Sequence, residues 1–157
     1  MPRKVQPVPE RYHAVTPYLI VRGAAAAIEF YVQAFGAEES LRLANPNGTI
    51  GHAELHLGDS TVMLADEAPE QGVSSPDALG GAAVGLLLYV EDVDAVVRKA
   101  VERGATVEKP VANQFYGDRT GTLRDPFGHR WTVATHVEDV SNEEAARRFA
   151  ALQRGGS

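Results

Sequence analysis

The chain has 157 residues, 44% hydrophobic and 23% charged, which is the balance of an ordinary folded domain and not of a disordered segment. It contains no cysteine, which excludes disulfides, thiolate metal centres, iron–sulfur clusters and cysteine nucleophiles together and suits a reducing cytoplasm. Acidic residues outnumber Lys and Arg by 21 to 15, for a net charge of −6, and the basic residues are scattered, so nucleic acid is not an expected partner.

No apolar run approaches the ~18 residues of a membrane span, and the basic N-terminal segment is followed by no apolar stretch, so neither a membrane partner nor a signal peptide is expected. A Pro-rich lead-in (Pro2, Pro7, Pro9) precedes residues 16–22, TPYLIVR, whose β-branched and aromatic content reads as a strand. Gly23 breaks it. Residues 24–35, AAAAIEFYVQAF, then read as a helix, with Ile28, Tyr31 and Phe35 at helical spacing and Gly36 at its C-terminal end. Residues 38–44 and 49–57 flank the turn Asn45-Pro46-Asn47-Gly48, a hairpin signal, and Gly58-Asp59 leads into a strand over 60–66.

Residues 67–81, rich in Pro, Gly and Ser, are the one linker-like stretch. The pattern then starts again. A strand over 83–90 leads to a helix over 93–103, N-capped by Asp92, with an apolar stripe of Val93, Val96, Val97, Ala100 and Val101. Strands follow over 106–111, 117–124 and 129–136, the last preceded by the turn Asp125-Pro126-Phe127-Gly128. A polar helix over 141–153, with Ser141 and Glu144 in capping-box spacing, closes the chain.

The order β-α-β-β-β thus occurs twice, with a period of about 70 residues, and each copy leaves one sheet face uncovered until the other covers it. The expected fold is α+β: two βαβββ modules forming a curved mixed sheet around a ligand-sized cavity. The modules span 13–66 and 83–136 with a linker over 67–82, so that 1–138 form one domain and 139–157 a polar C-terminal helix and tail.

Side chains alternate along a strand. In residues 52–57, HAELHL, one face holds Ala53, Leu55 and Leu57, suited to packing under a helix, and the other holds His52, Glu54 and His56. That polar row reads in three ways: a sheet face open to water, a ligand-binding or acid/base cluster, or a non-standard metal site needing a further ligand beside the two imidazoles. His52 is the leading functional candidate, because the Glu54 carboxylate favours its charged form; its structural alternative is a hydrogen-bonded sheet-face histidine. In the last strand Trp131 is expected in the core with its indole N–H partnered, Thr132 on the opposite face, and His129 and His136 at the surface. In residues 113–119, NQFYGDR, Phe115 and Tyr116 are placed to close over an apolar ligand. Arg119 either holds an anionic group or pairs with Asp118, and Asp125 caps its own turn. No P-loop, dinucleotide fingerprint, G-x-S-x-G elbow or H-E-x-x-H is present.

The segments IEFYVQAFGAEE, YVEDVDAVVRKAVERGA and above all DPFGHRW resemble the vicinal oxygen chelate superfamily, which includes glyoxalase I, bleomycin- and fosfomycin-resistance proteins and extradiol dioxygenases. GHAELHLGDSTVMLADE and NQFYGDRTGTLRDPFGHRW bring it nearest the glyoxalase-like proteins of phosphonate-utilisation operons. The likeness covers residues 13–138 and implies the paired-module fold, a cavity and often a dimer that shares strands, but no single reaction. It also implies a divalent metal held by side chains from the first and last strand of each module. By the family's spacing those positions fall on Thr16, Met63, Gly85 and Thr132, a set without imidazole or carboxylate, and shifting the register by one residue does not supply either. No metal and no other cofactor is therefore expected.

Three functions follow from this reading. The first is a glyoxalase/bleomycin-resistance-like protein that binds a small molecule without the usual metal, with Tyr18, Met63, Leu87, Tyr89, His52 and Glu54 facing the cavity. The second is an enzyme, a lyase or another activity of the superfamily, using His52 and Glu54 as acid and base or as a relocated metal site. The third is a structural partner whose cavity is filled by side chains. A cytoplasmic homodimer is expected in each case.

Overall fold

The computed structural model describes residues 4–155. Its elements in chain order are β1 (Tyr18–Val21), α1 (Ala24–Phe35), β2 (Glu38–Ala44), β3 (Ile50–Leu57), β4 (Ser60–Asp66), α2 (Pro76–Leu79), β5 (Gly85–Tyr89), α3 (Val93–Glu102), β6 (Thr106–Asn113), β7 (Asp118–Arg124), β8 (Arg130–His136) and α4 (Asn142–Gly155). The strands make two four-stranded mixed sheets, ordered β1-β4-β3-β2 and β5-β8-β7-β6. In each, the first strand pairs in parallel with the last and the other pairs are antiparallel. The fold is the α+β arrangement of two βαβββ modules read from the sequence.

The repeat holds at the level of single residues. In the first sheet one row across the strands is Tyr18, Met63, Glu54 and Leu41. In the second the matching row is Leu87, Thr132, Thr122 and Lys109. Backbone pairing therefore has one plan in both sheets, while the chemistry on the rows differs.

The chain divides into two compact units, one running to Ala83 and taking in Pro126–His129, the other comprising Val84–Asp125 and the chain from Arg130. In the first, α1 buries Ala24, Ala27, Ile28, Tyr31 and Phe35 against the sheet face of Leu19, Val21, Ala53, Leu55 and Leu64. Phe127 is buried there beside Phe30 and Tyr31, with ring centroids 6.3 and 6.4 Å away. The amino end of α1 has no side-chain cap from its own residue, Gly23. Asp66 supplies one: its Oδ1 accepts from the backbone N–H groups of Gly23 (2.9 Å) and Ala24 (2.8 Å), and its Oδ2 accepts from Ile50 N–H (2.7 Å). A carboxylate suits that end of a helix because unpaired N–H groups point outward there.

In the second unit α3 packs on β6, β7 and β8 through Val93, Val97 and Ala100, over Leu123, Trp131 and Val133. Asp92 caps it as expected, its side chain accepting from Ala95 N–H at 3.1 Å. The apolar stripe is narrower than the sequence suggested, since Val101 is 43% exposed. α4 begins as expected, Ser141 Oγ accepting from Glu144 N–H at 3.1 Å.

Two expectations need correction. Residues 67–81 are not a plain linker. Ala68 bridges to Val73, Pro69–Gln71 form a 3-10 turn, and Ser75 caps α2. Glu67 ties them down, accepting from the Ser75 hydroxyl and pairing with Arg22 at 2.7 Å. Secondly, β1 starts at Tyr18 and not at Thr16, whose hydroxyl instead donates to His13 O at 3.0 Å.

Candidate functional site

The polar face of β3 is the centre of a hydrogen-bonded chain in the first unit. Glu54 is 5% exposed although it carries a carboxyl group. Oε1 accepts from the Tyr12 hydroxyl, and Oε2 lies 2.8 Å from His52 Nε2. His52 Nδ1 in turn lies 2.8 Å from the Tyr18 hydroxyl, with the two rings 5.4 Å apart. Arg11 adds a weak charge contact at 4.0 Å from Glu54 and sits over the Tyr12 ring. The relay therefore reads Tyr12–Glu54–His52–Tyr18.

The Tyr12 hydroxyl, and after it His52, hold the Glu54 carboxyl below its ordinary range, against the opposing effect of burial. An ionised carboxylate only accepts hydrogen bonds, so Nε2 of His52 must carry a proton. In neutral imidazole Nδ1 is then an acceptor and Tyr18 donates to it. In imidazolium Nδ1 donates, and the Tyr18 proton is free for another acceptor. Protonation of His52 thus reverses the sense of Tyr18 as a hydrogen-bonding group.

Tyr18 lines a cavity of about 540 Å³ in the first unit, with Asn45 and Asn47 from the β2–β3 turn, Asp66 from β4, and Glu70 and Gln71 from the ordered loop. The site residues expected from the sequence divide around it. Tyr18 stands on its wall, and His52 and Glu54 lie behind Tyr18. Met63 is on the same sheet face, paired with both Tyr18 and Glu54. His56 is exposed and takes no part in the relay.

The second unit holds a comparable network that the sequence reading did not assemble. Asp118, 4% exposed, lies 2.7 Å from Tyr89 Oη through Oδ2 and 2.7 Å from His136 Nδ1 through Oδ1. His136 Nε2 is 2.8 Å from Asp139. Burial pushes the Asp118 carboxyl up, but the hydrogen bonds from His136 and Tyr89 outweigh it and leave the carboxyl lowered. Tyr89 is raised by the same Asp118 contact, and His136 by Asp118 and then Asp139. Arg119 does not pair with Asp118. It forms a two-pronged bond to Asp94 at 2.8 and 2.9 Å and reaches Asn113 at 3.2 Å. The physical reason is alternation: Asp118 and Arg119 are consecutive in β7 and point to opposite faces.

Phe115 and Tyr116 meet edge to face, with centroids 5.1 Å apart, and α4 holds their loop through Arg148 Nη1, which donates to Phe115 O at 2.9 Å, and through Phe149, 5.7 Å from the Phe115 ring. Asp125 accepts from the buried Trp131 indole N–H at 2.9 Å, beyond the turn-capping role expected of it. His129 is partly buried, with Nε2 2.9 Å from Ile20 O. The sequence reading missed Tyr12, because the lead-in was assigned no structure, and missed the Asp118–His136 pairing, although antiparallel β7 and β8 place the two opposite each other.

The four positions that the resemblance assigns to a metal were tested on their donors. Thr16 uses its hydroxyl on His13 O, Thr132 shares its own with Thr122 at 3.1 Å, Gly85 has no side chain and Met63 offers a thioether. Hard and borderline divalent ions want imidazole and carboxylate, so this set does not fit one. Among the described residues no group of three or more His, Asp or Glu side chains is placed to hold a metal ion.

A model of the Glyoxalase/Bleomycin resistance protein/Dioxygenase superfamily matches residues 11–133. The chain belongs to that superfamily. It is 44% identical over 134 residues to an uncharacterized protein of Mycobacterium tuberculosis, covering 83% of this chain and 79% of that one. The X-ray structure of a gene product from Arabidopsis thaliana is 31% identical, with a TM-score of 0.65 over 78% of this chain and 98% of that chain. A PhnB protein from Bacillus cereus, 21% identical, shares the fold with a TM-score of 0.62 over 78% of this chain and 99% of that one.

Proposed function

We propose that this superfamily member binds a small molecule in the cavity of the first unit, without the superfamily's usual metal site. The observation that carries the reading is a cavity of about 540 Å³ with Tyr18 on its wall, backed by the His52–Glu54–Tyr12 relay. That volume lies within the ~300–1,000 Å³ of small-molecule sites, and it speaks against a purely structural role. Amide and carboxyl groups on the rim favour a ligand rich in hydroxyl or amine donors. We place the chain nearest the phosphonate-operon branch and read it as a cytoplasmic homodimer. The half-exposed Leu87 and Tyr89 on edge strand β5 support the dimer. Among the described residues no helix is long and apolar enough to cross a membrane.

One observation favours an enzyme as the second reading. Glu54 orients His52 and fixes the proton on Nε2, which is how a carboxylate sets an imidazole for general acid/base work. Tyr18 is the group that would meet the ligand, with His52 as its proton partner.

The test is a thermal-shift screen of soluble polyols, amines and amino sugars against the purified full-length protein, with and without chelator, repeated on Tyr18→Phe. Saturable stabilisation that forms no product, ignores chelator and weakens in Tyr18→Phe supports the binding reading. Turnover that His52→Ala abolishes while the fold persists supports the enzyme. Activity that appears with a divalent cation and vanishes with chelator overturns the metal-free assignment.

A further inference from the structure

We propose that the second unit carries a separate binding site for an oxyanionic group, a phosphate, phosphonate or carboxylate, centred on Lys109. A cavity of about 340 Å³ lies on the open face of the sheet β5-β8-β7-β6, and its lining includes Leu87, Lys109, Thr122, Arg130 and Thr132. Three of these, Lys109, Thr122 and Thr132, sit in one row across β6, β7 and β8, with Leu87 completing the row on β5.

The local chain builds this site through an irregularity. Pairing between β6 and β7 skips a residue, with Val107 opposite Leu123 and Lys109 opposite Thr122, so Glu108 is the extra residue of a bulge. A bulge re-aims a side chain that strict alternation would send to the other face. Here Glu108 and Lys109 both serve the open face: Glu108 pairs with Arg130 at 2.9 Å and lies 3.8 Å from Arg124, while Lys109 lines the cavity beside Thr122.

Beside the cavity two cations, Arg124 and Arg130, share the carboxylate of Glu108, and Lys109 adds a third positive charge to the cavity wall in a chain whose net charge is −6. Lys109 forms no ion pair among the described residues. Thr122 is buried at 6% exposure, and its hydroxyl and that of Thr132 bond to each other at 3.1 Å. One of the two hydroxyl protons makes that bond, which leaves the other free to donate. On one wall, an ammonium without an ion-pair partner and a free hydroxyl proton are donors without an acceptor, and the Arg130 guanidinium beside them is held by Glu108. A dehydrated cation is repelled there, and an oxyanion supplies the missing acceptors.

This inference is independent of the Tyr18–His52–Glu54 reading, because no residue of the first unit enters it. The experiment titrates full-length protein with inorganic phosphate, and separately with acetate, at constant ionic strength, following backbone amides by NMR. Lys109→Met is the test variant. Lys4→Met, which removes the same charge from the exposed lead-in, is the control. Expected are saturable shifts at Thr122 and Thr132 with dissociation constants in the millimolar range, weakened at least about tenfold in Lys109→Met and unchanged in Lys4→Met. Phosphate binding more tightly than acetate marks a dianionic ligand, the reverse a carboxylate, and either supports the site. A Thr132→Val variant checks the hydroxyl face and should weaken binding with the fold retained. Shifts that never saturate, that scatter over the surface, or that Lys109→Met and Lys4→Met change equally overturn the proposal.

Discussion

Replacing Glu54 by Gln isolates the charge at the centre of the first-unit relay. The two side chains have the same size, so no cavity forms in a site that is 5% exposed. What disappears is the ionised acceptor shared by Tyr12 and His52. A hydrogen bond to a charged partner contributes about 1.5–3 kcal/mol against about 0.5–1.5 for a neutral one, so converting both loses about 2.5 kcal/mol at the middle of those ranges. Tyr12 and His52 are both partly open to water, which can replace lost partners, and the expected cost is therefore about 1–2 kcal/mol. For a chain of this size that is about 2–8 °C in Tm. The pH dependence has a definite sign. The folded-state value of Glu54 is lowered, so its contribution is full above the unfolded value of about 4.3 and is lost as pH falls through the folded value. Urea unfolding followed by circular dichroism at neutral pH, and again below about pH 4, should show a gap between wild type and variant that closes on the acid side. A gap under about 0.5 kcal/mol at neutral pH, within the range of ordinary surface substitutions, would refute the reasoning. So would a gap that persists unchanged in acid, since it would then reflect shape and not charge.

Three further outcomes are expected. Gly117 has a φ of +100°, and a Cβ there would meet Glu138 O at 2.1 Å, so Gly117→Ala should cost at least about 2 kcal/mol in the same unfolding assay; a cost below about 0.5 would contradict the strain. Asp125→Ala removes the acceptor of the buried Trp131 indole N–H and should destabilise by about 1–3 kcal/mol. Trp131 is the sole tryptophan, so its emission should red-shift in the folded variant as water replaces the carboxylate; an unmoved spectrum and stability would show the contact to be dispensable. His136, raised by Asp118 and then Asp139, should titrate above the ordinary imidazole value of about 6.5 in an NMR pH series. Its stabilising contribution is full below that value and is lost as pH rises through the folded one, so His136→Gln should flatten stability on the alkaline side. Titration of His136 at or below the ordinary value would contradict the pairing.

Local chemistry made most of the fold legible. Helix α1 and strands β2 and β4 coincide with the sequence reading because each is bounded by glycines or turn dipeptides and carries one clear period. The repeat was visible because pattern and punctuation recur together. The strand face of His52 and Glu54 was also legible, since alternation with Ala53, Leu55 and Leu57 leaves the two only one side.

Distant partners were not legible. Asp66 as the cap of α1, Tyr12 on Glu54 and His136 on Asp118 each join residues far apart in the chain or placed in segments without a period. The choice of Asp94 by Arg119 follows from which face of β7 the guanidinium leaves, and the neighbour on that face comes from another element. The β6 bulge that turns Lys109 toward Thr122 is a matter of pairing register. The sequence by itself determined the elements, their order and the polarity of each strand face, because those depend on neighbours one to four residues away. Only the tertiary structure decided which charges meet, because that depends on strand register and on which strands lie side by side, and neither is encoded within a single segment.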